Sequence, residues 1–152
     1  MKTHLQLTAV FTLAVAGVLR AGEAATPFEK LPGPVQKAMR ELVGKGKITK
    51  TVKETEKDGT VLYEVSYLVG KRKFEAEVSP EGKLLVVDEE IQLSEAPAAV
   101  QKTIGEKTAG GKIRKIEKAV KGKEVFYEAE FIKGFKEHEV KVAPGGKVLA
   151  EE

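Results

Sequence analysis

The chain has 152 residues, no cysteine, 26 Lys and Arg against 23 Asp and Glu, and a formal net charge of +3. This excludes a disulfide framework, a thiolate metal site and a lipid-bearing cysteine behind a signal. Lys and Glu alternate along the same segments, so the basic stripe that a nucleic-acid partner requires is missing.

Met1-Lys2-Thr3-His4 is a short positive start, and Leu5 to Leu19 is an uncharged, largely apolar run too short to span a membrane. Arg20 and Glu23 end that run, and small residues at Gly22 and Ala24 fit cleavage between Ala24 and Ala25. Residues 1–24 are therefore expected to be a signal peptide. The destination is the periplasm or beyond, with no stable membrane anchor after cleavage. Loss of Lys2, Arg20 and Glu23 leaves 24 cationic against 22 anionic residues, a net of +2.

Pro32-Gly33-Pro34 reads as a helix start, since proline is tolerated in the first turn. Val35, Ala38, Met39, Leu42 and Val43 then form one apolar face at helical spacing, and Gly44 with Gly46 supplies the exit. From Ile48 the period becomes that of a strand. Asp58-Gly59 signals a hairpin. Val61, Tyr63, Val65 and Tyr67 are expected to face the helix, with Leu62, Glu64, Ser66 and Leu68 on the other side. Phe74, Ala76 and Val78 alternate with Lys73, Glu75 and Glu77, and after Pro80-Glu81-Gly82 a last strand runs from Lys83 to Val87. Ser94 or an adjacent residue is expected to cap a second helix, in which Val100 and Ile104 mark a thinner apolar face. Ile113 and Ile116, three apart, suggest a bulge matching Ile48 and Thr51. Val125, Tyr127, Ala129 and Phe131 form the next core-facing set, alternating with Phe126, Glu128, Glu130 and Ile132.

The chain thus states one plan twice. Val35-Gln36-Lys37, Gly46-Lys47-Ile48, Tyr63-Glu64-Val65 and Pro80-Glu81-Gly82-Lys83 are answered by Val100-Gln101-Lys102, Gly111-Lys112-Ile113, Tyr127-Glu128-Ala129 and Pro144-Gly145-Gly146-Lys147. The expected fold class is α+β, with two tandem modules, residues 31–90 and 94–152, each one helix packed on a four-stranded antiparallel sheet. Modules of this size bury little surface alone, so they are expected to pack together or share a sheet. The repeated residues resemble the PepSY-like domains of exported bacterial proteins, including the β-lactamase-inhibitor-like PepSY-like group. The resemblance covers about Leu31 to Leu149. It implies a protein-binding role, because related domains restrain secreted peptidases and a tandem arrangement is similar in plan to β-lactamase inhibitory proteins. It brings no catalytic residue.

Constellations that carry chemistry are sparse. His138 lies between Glu137 and Glu139 on a strand, and alternation turns both carboxylates away from the imidazole, so no metal site is expected there. The serines lack a histidine partner and a nucleophile elbow. The i, i+2 pairs Glu75/Glu77 and Glu137/Glu139 are explained by cross-strand pairing with lysines such as Lys73 and Lys141, with weak cation binding as a further reading. An enzyme is not expected, and neither is a cofactor. Leu62, Leu68, Phe126 and Ile132, among charges on the uncovered sheet face, are the candidate partner-binding residues. The strand from Lys83 to Val87 is a candidate edge for strand addition. The partner would be an exported protein or peptide that the chain sequesters or inhibits. The alternative is the chain itself, in a self-associating structural or stress-related envelope protein.

Overall fold

A computed structural model describes residues 23–151. The expected signal peptide falls almost entirely outside the described residues. Among the described residues there are nine strands: β1 (Glu23–Ala25), β2 (Lys47–Thr55), β3 (Val61–Val69), β4 (Arg72–Val78), β5 (Leu84–Glu90), β6 (Lys112–Lys121), β7 (Glu124–Lys133), β8 (Lys136–Val142) and β9 (Val148–Glu151). Two helices, α1 (Gly33–Val43) and α2 (Ala98–Lys107), precede β2 and β6. The expected cleavage point between Ala24 and Ala25 lies within β1, where Ala24 pairs with Lys53 and Ala25 with Val52.

All nine strands form one antiparallel sheet, and their order across it is their order along the chain. This overturns the expectation of two tandem modules, each one helix on a four-stranded sheet. The break foreseen after Glu90 is a continuous ladder, with Val87, Asp88, Glu89 and Glu90 of β5 opposite Val120, Ala119, Lys118 and Glu117 of β6. The amide of Ile91 donates to the carbonyl of Ile116 at 2.9 Å and extends the pairing. The physical reason is the edge: a sheet ending at β5 would leave a row of unpaired amides and carbonyls, and β6 satisfies them. The segment from Lys83 to Val87 is consequently central. Among the described residues the edges of the sheet are β1 and β9.

Both helices lie on one face. Val35, Met39 and Val43 of α1 pack on Tyr63, Val65, Tyr67, Ala76 and Val78. Val100 and Ile104 of α2 pack on Ile116, Tyr127, Ala129, Phe131, Val140 and Val142. Full burial of a side chain such as Met39 or Ile104 stabilises the fold by roughly 1.5–3 kcal/mol. The cap of α2 differs from expectation. Pro97 stands at the N-cap, and a short 3-10 turn over Leu93–Glu95 comes first, with Glu95 accepting from the Gln92 amide at 2.8 Å.

The repeated motifs have structural explanations. Gln36 Nε2 donates to the Leu31 carbonyl at 2.9 Å and Gln101 Nε2 to the Ala96 carbonyl at 2.8 Å, so each glutamine ties a first helical turn to the segment that enters it. Gly82 and Gly146, at φ +82° and +85°, lie where a Cβ would come within 2.5 Å of the Pro34 carbonyl oxygen and 2.9 Å of that of Ala99. The Pro-x-Gly-Lys turns therefore dock the helix N-termini on the sheet, which only glycine permits at those positions. The predicted bulges are present between Ile48 and Lys50 and between Ile113 and Lys115. Each lets two residues three apart face the helix side together.

Candidate functional site: the open sheet face

The face without helices is built by alternation, and its residues align in rows across the sheet. One row runs Lys50, Ser66, Glu75, Asp88, Ala119 and Phe126; beside it lie Val52, Glu64, Glu77 and Val86; on the other side lie Glu90, Glu117, Glu128 and Lys141. The bulge at Arg114 brings Lys115 onto this face opposite Glu130. The centre of the face thus gathers carboxylates in a chain whose overall charge is +3.

Lysines serve part of this charge. The Lys115 amine lies 2.7 Å from Glu117 and 3.1 Å from Glu75, reaching over β5 to do so. Burial alone would lower its pKa, but those two carboxylates outweigh burial and raise it. Lys141 contacts Glu128 at 2.5 Å and lies 4.6 Å from the centre of the Phe126 ring. Lys73 bonds both oxygens of Glu90, at 3.0 and 3.1 Å. A cavity of about 100 Å³ opens between these groups, lined by Ser66, Lys73, Glu75, Glu90, Lys115 and Glu117 among others.

Asp88 is not served. Its side chain is 5% exposed, and Oδ1 has no hydrogen-bond partner among the described residues. Burial pushes its carboxyl up to about 9, reinforced by Glu117, Glu128, Glu77 and Glu75. Burial likewise pushes Glu77 up to about 7, with Glu54 and Glu64 adding, and Glu117 to about 7 against the pull of Lys115. Glu130 is raised for the same first reason. These carboxyls outnumber the cations within reach, and a buried carboxyl short of positive charge keeps its proton. Among the described residues no three His, Cys, Asp or Glu side chains converge to hold a metal ion.

The candidate residues from the sequence are divided by this arrangement. Leu62 and Leu68 are half-buried on β3, and Ile132 is half-buried on β7. Phe126 is 6% exposed, packed with Val86 and Ala119 under Lys141. The four do not form one apolar patch, because the carboxylate rows separate β3 from β7. Lys73 and Lys141 do form cross-strand ion pairs, but with Glu90 and Glu128 and not with the expected Glu75/Glu77 and Glu137/Glu139; the partner of Glu75 is Lys115. His138 stacks on Phe131 with ring centres 5.3 Å apart. Asp88, a single carboxylate in an acidic run, gives no signal in the sequence until its neighbours across the sheet are known.

No family model matches the chain, and no curated protein does. Solved structures do match in fold. A chain from Bacteroides eggerthii described as periplasmic superposes with a TM-score of 0.66 at 15% identity, covering 80% of this chain and 88% of that one. A DUF2874 family protein from Bacteroides uniformis gives 0.65 at 13% identity with the same coverage. A BLIP-like protein from Bacteroides fragilis gives 0.62 at 17% identity, covering 80% of this chain and 85% of that one. The chain shares the fold of these proteins.

Proposed function

We propose that this chain is a non-enzymatic periplasmic binding protein that engages a basic segment of another exported polypeptide through its open sheet face. The observation that carries this reading is Asp88, a buried carboxyl without a partner at the centre of a face short of cations. Such a group is costly in the isolated fold, and an arginine or lysine from a partner would remove the cost. The half-buried Leu62, Leu68 and Ile132 flank the acidic rows as apolar margins, and Phe126 supports Lys141 from beneath. The signal-like start of the sequence and the fold shared with chains described as periplasmic support the location; the fold shared with a BLIP-like protein supports a binding role. The PepSY-like resemblance of the repeated motifs belongs to the same reading.

The test is retention of a partner from envelope extract by the wild type and by Asp88→Asn, with crosslinking and mass spectrometry. The asparagine keeps the shape and removes the ability to ionise against a partner's cation. A protein held by the wild type and released by Asp88→Asn, and carrying a basic segment at the crosslinks, is the expected result. Equal retention by both would refute the assigned surface.

A further inference from the structure

The end of the sheet at which both helices exit has the opposite character. Strands β2 and β6 begin there, and hairpins β3–β4 and β7–β8 turn there at Gly70 and Gly134, with φ +62° and +65°. Lys47, Lys71, Lys112, Arg114, Lys133 and Lys136 line this rim. All six are exposed, and none has an ion-pair partner among the described residues. Of the acidic residues toward this end, Glu89, Glu90 and Glu95 are already engaged by Arg72 and Lys73.

Each hairpin also projects an apolar residue. Phe135 is 105% exposed, between Gly134 and Lys136, and Val69 is 45% exposed beside Gly70. The two tips are four strand spacings apart, about 19 Å. An aromatic side chain held wholly in water at a tight turn contributes nothing to the fold.

We propose that this rim docks peripherally on an anionic lipid bilayer, with Phe135 and Val69 entering the headgroup boundary and the surrounding cations contacting lipid phosphates. Lipid is favoured over a shaped partner by the chemistry of the rim. Five of its six cations are lysines, flexible point charges suited to a fluid layer of phosphates. The apolar residues stand at separate tips instead of meeting in a pocket. Among the described residues no helix is long and apolar enough to cross a membrane, so the contact would be interfacial. Docked end-on, the protein would leave its acidic face free.

Protein recovered from the periplasm of an expressing Gram-negative host should sediment with vesicles of phosphatidylglycerol and phosphatidylcholine at about 50 mM salt, and not with phosphatidylcholine alone. Phe135→Ala should weaken partitioning about threefold to tenfold, and Lys133→Glu with Lys136→Glu by about tenfold or more. Lys57→Glu with Lys123→Glu makes the same charge change at the opposite end of the sheet and should cost less than about twofold. In Phe135→Trp the emission should shift to the blue on anionic vesicles only. Absence of sedimentation at low salt, equal losses for the two lysine pairs, or unshifted tryptophan emission would each overturn the proposal.

Discussion

Val65 and Asp88 are both buried, at 0% and 5% exposure, on opposite faces of the same sheet. Around Val65, burial removes apolar surface from water and the helices complete the packing, so enclosure stabilises. Around Asp88, enclosure strips water from carboxyls that find too few cations, so it destabilises. Equal burial therefore has opposite energetic sign on the two faces. The helix face holds the fold, and the open face is tolerated by it.

The contrast is tested most strongly on the helix face. Met39→Ala and Ile104→Ala should each cost about 2–5 kcal/mol in denaturant unfolding. Because β5 and β6 are paired, both should shift one common transition, and two separate transitions would break the single-sheet account. On the open face, Lys115→Met leaves Glu75 and Glu117 without their shared cation and should cost about 2–4 kcal/mol near neutral pH, less in mild acid.

Asp88→Asn should act in the other direction. With Asp88 held near 9, and Glu77 and Glu117 near 7, the folded chain retains protons that the unfolded chain releases near pH 4. Stability from these groups is full below that point and is lost as pH rises, through about 7 for the glutamates and about 9 for Asp88. Thermal melting should accordingly fall between pH 5 and pH 9. Asp88→Asn should flatten the slope and raise stability at pH 8 by about 1–3 kcal/mol. A variant no more stable than wild type at pH 8 would show that the open face is not under strain. The smallest effect belongs to Phe135→Ala, which should change stability by less than about 0.5 kcal/mol in the absence of lipid.

The helix face was legible in the sequence because its signals are local. Val35, Met39 and Val43 recur at helical spacing, and Tyr63, Val65 and Tyr67 alternate, so each element declares its buried side unaided. The bulges were legible too, from apolar residues three apart. The β5–β6 ladder was legible only as one of two alternatives, modules packed together or sharing a sheet: an acidic run, a linker and Pro97 look the same whether a sheet ends or continues, and pairing of edges is a non-local event. The acidic rows were hidden for a related reason. Alternation assigns Glu75, Asp88, Glu117 and Glu128 to one face, but only the register makes them neighbours. Phe126 was assigned the right face and the wrong exposure, since the residues that cover it come from β5, β6 and β8.

The identity of chain order and strand order bears on how this protein comes to exist. Every strand after the first finds its partner immediately upstream, so a chain emerging N-terminus first can add strands one at a time, without waiting for a distant segment. Only the ladders β1–β2 and β5–β6 require closing a longer loop, over residues 26–46 and 91–111, and each loop holds one α-helix. Each intermediate in this growth presents one growing edge besides that of β1. Emergence of the chain thus schedules which edge is exposed and for how long, and β9, with four residues, presents only a short one.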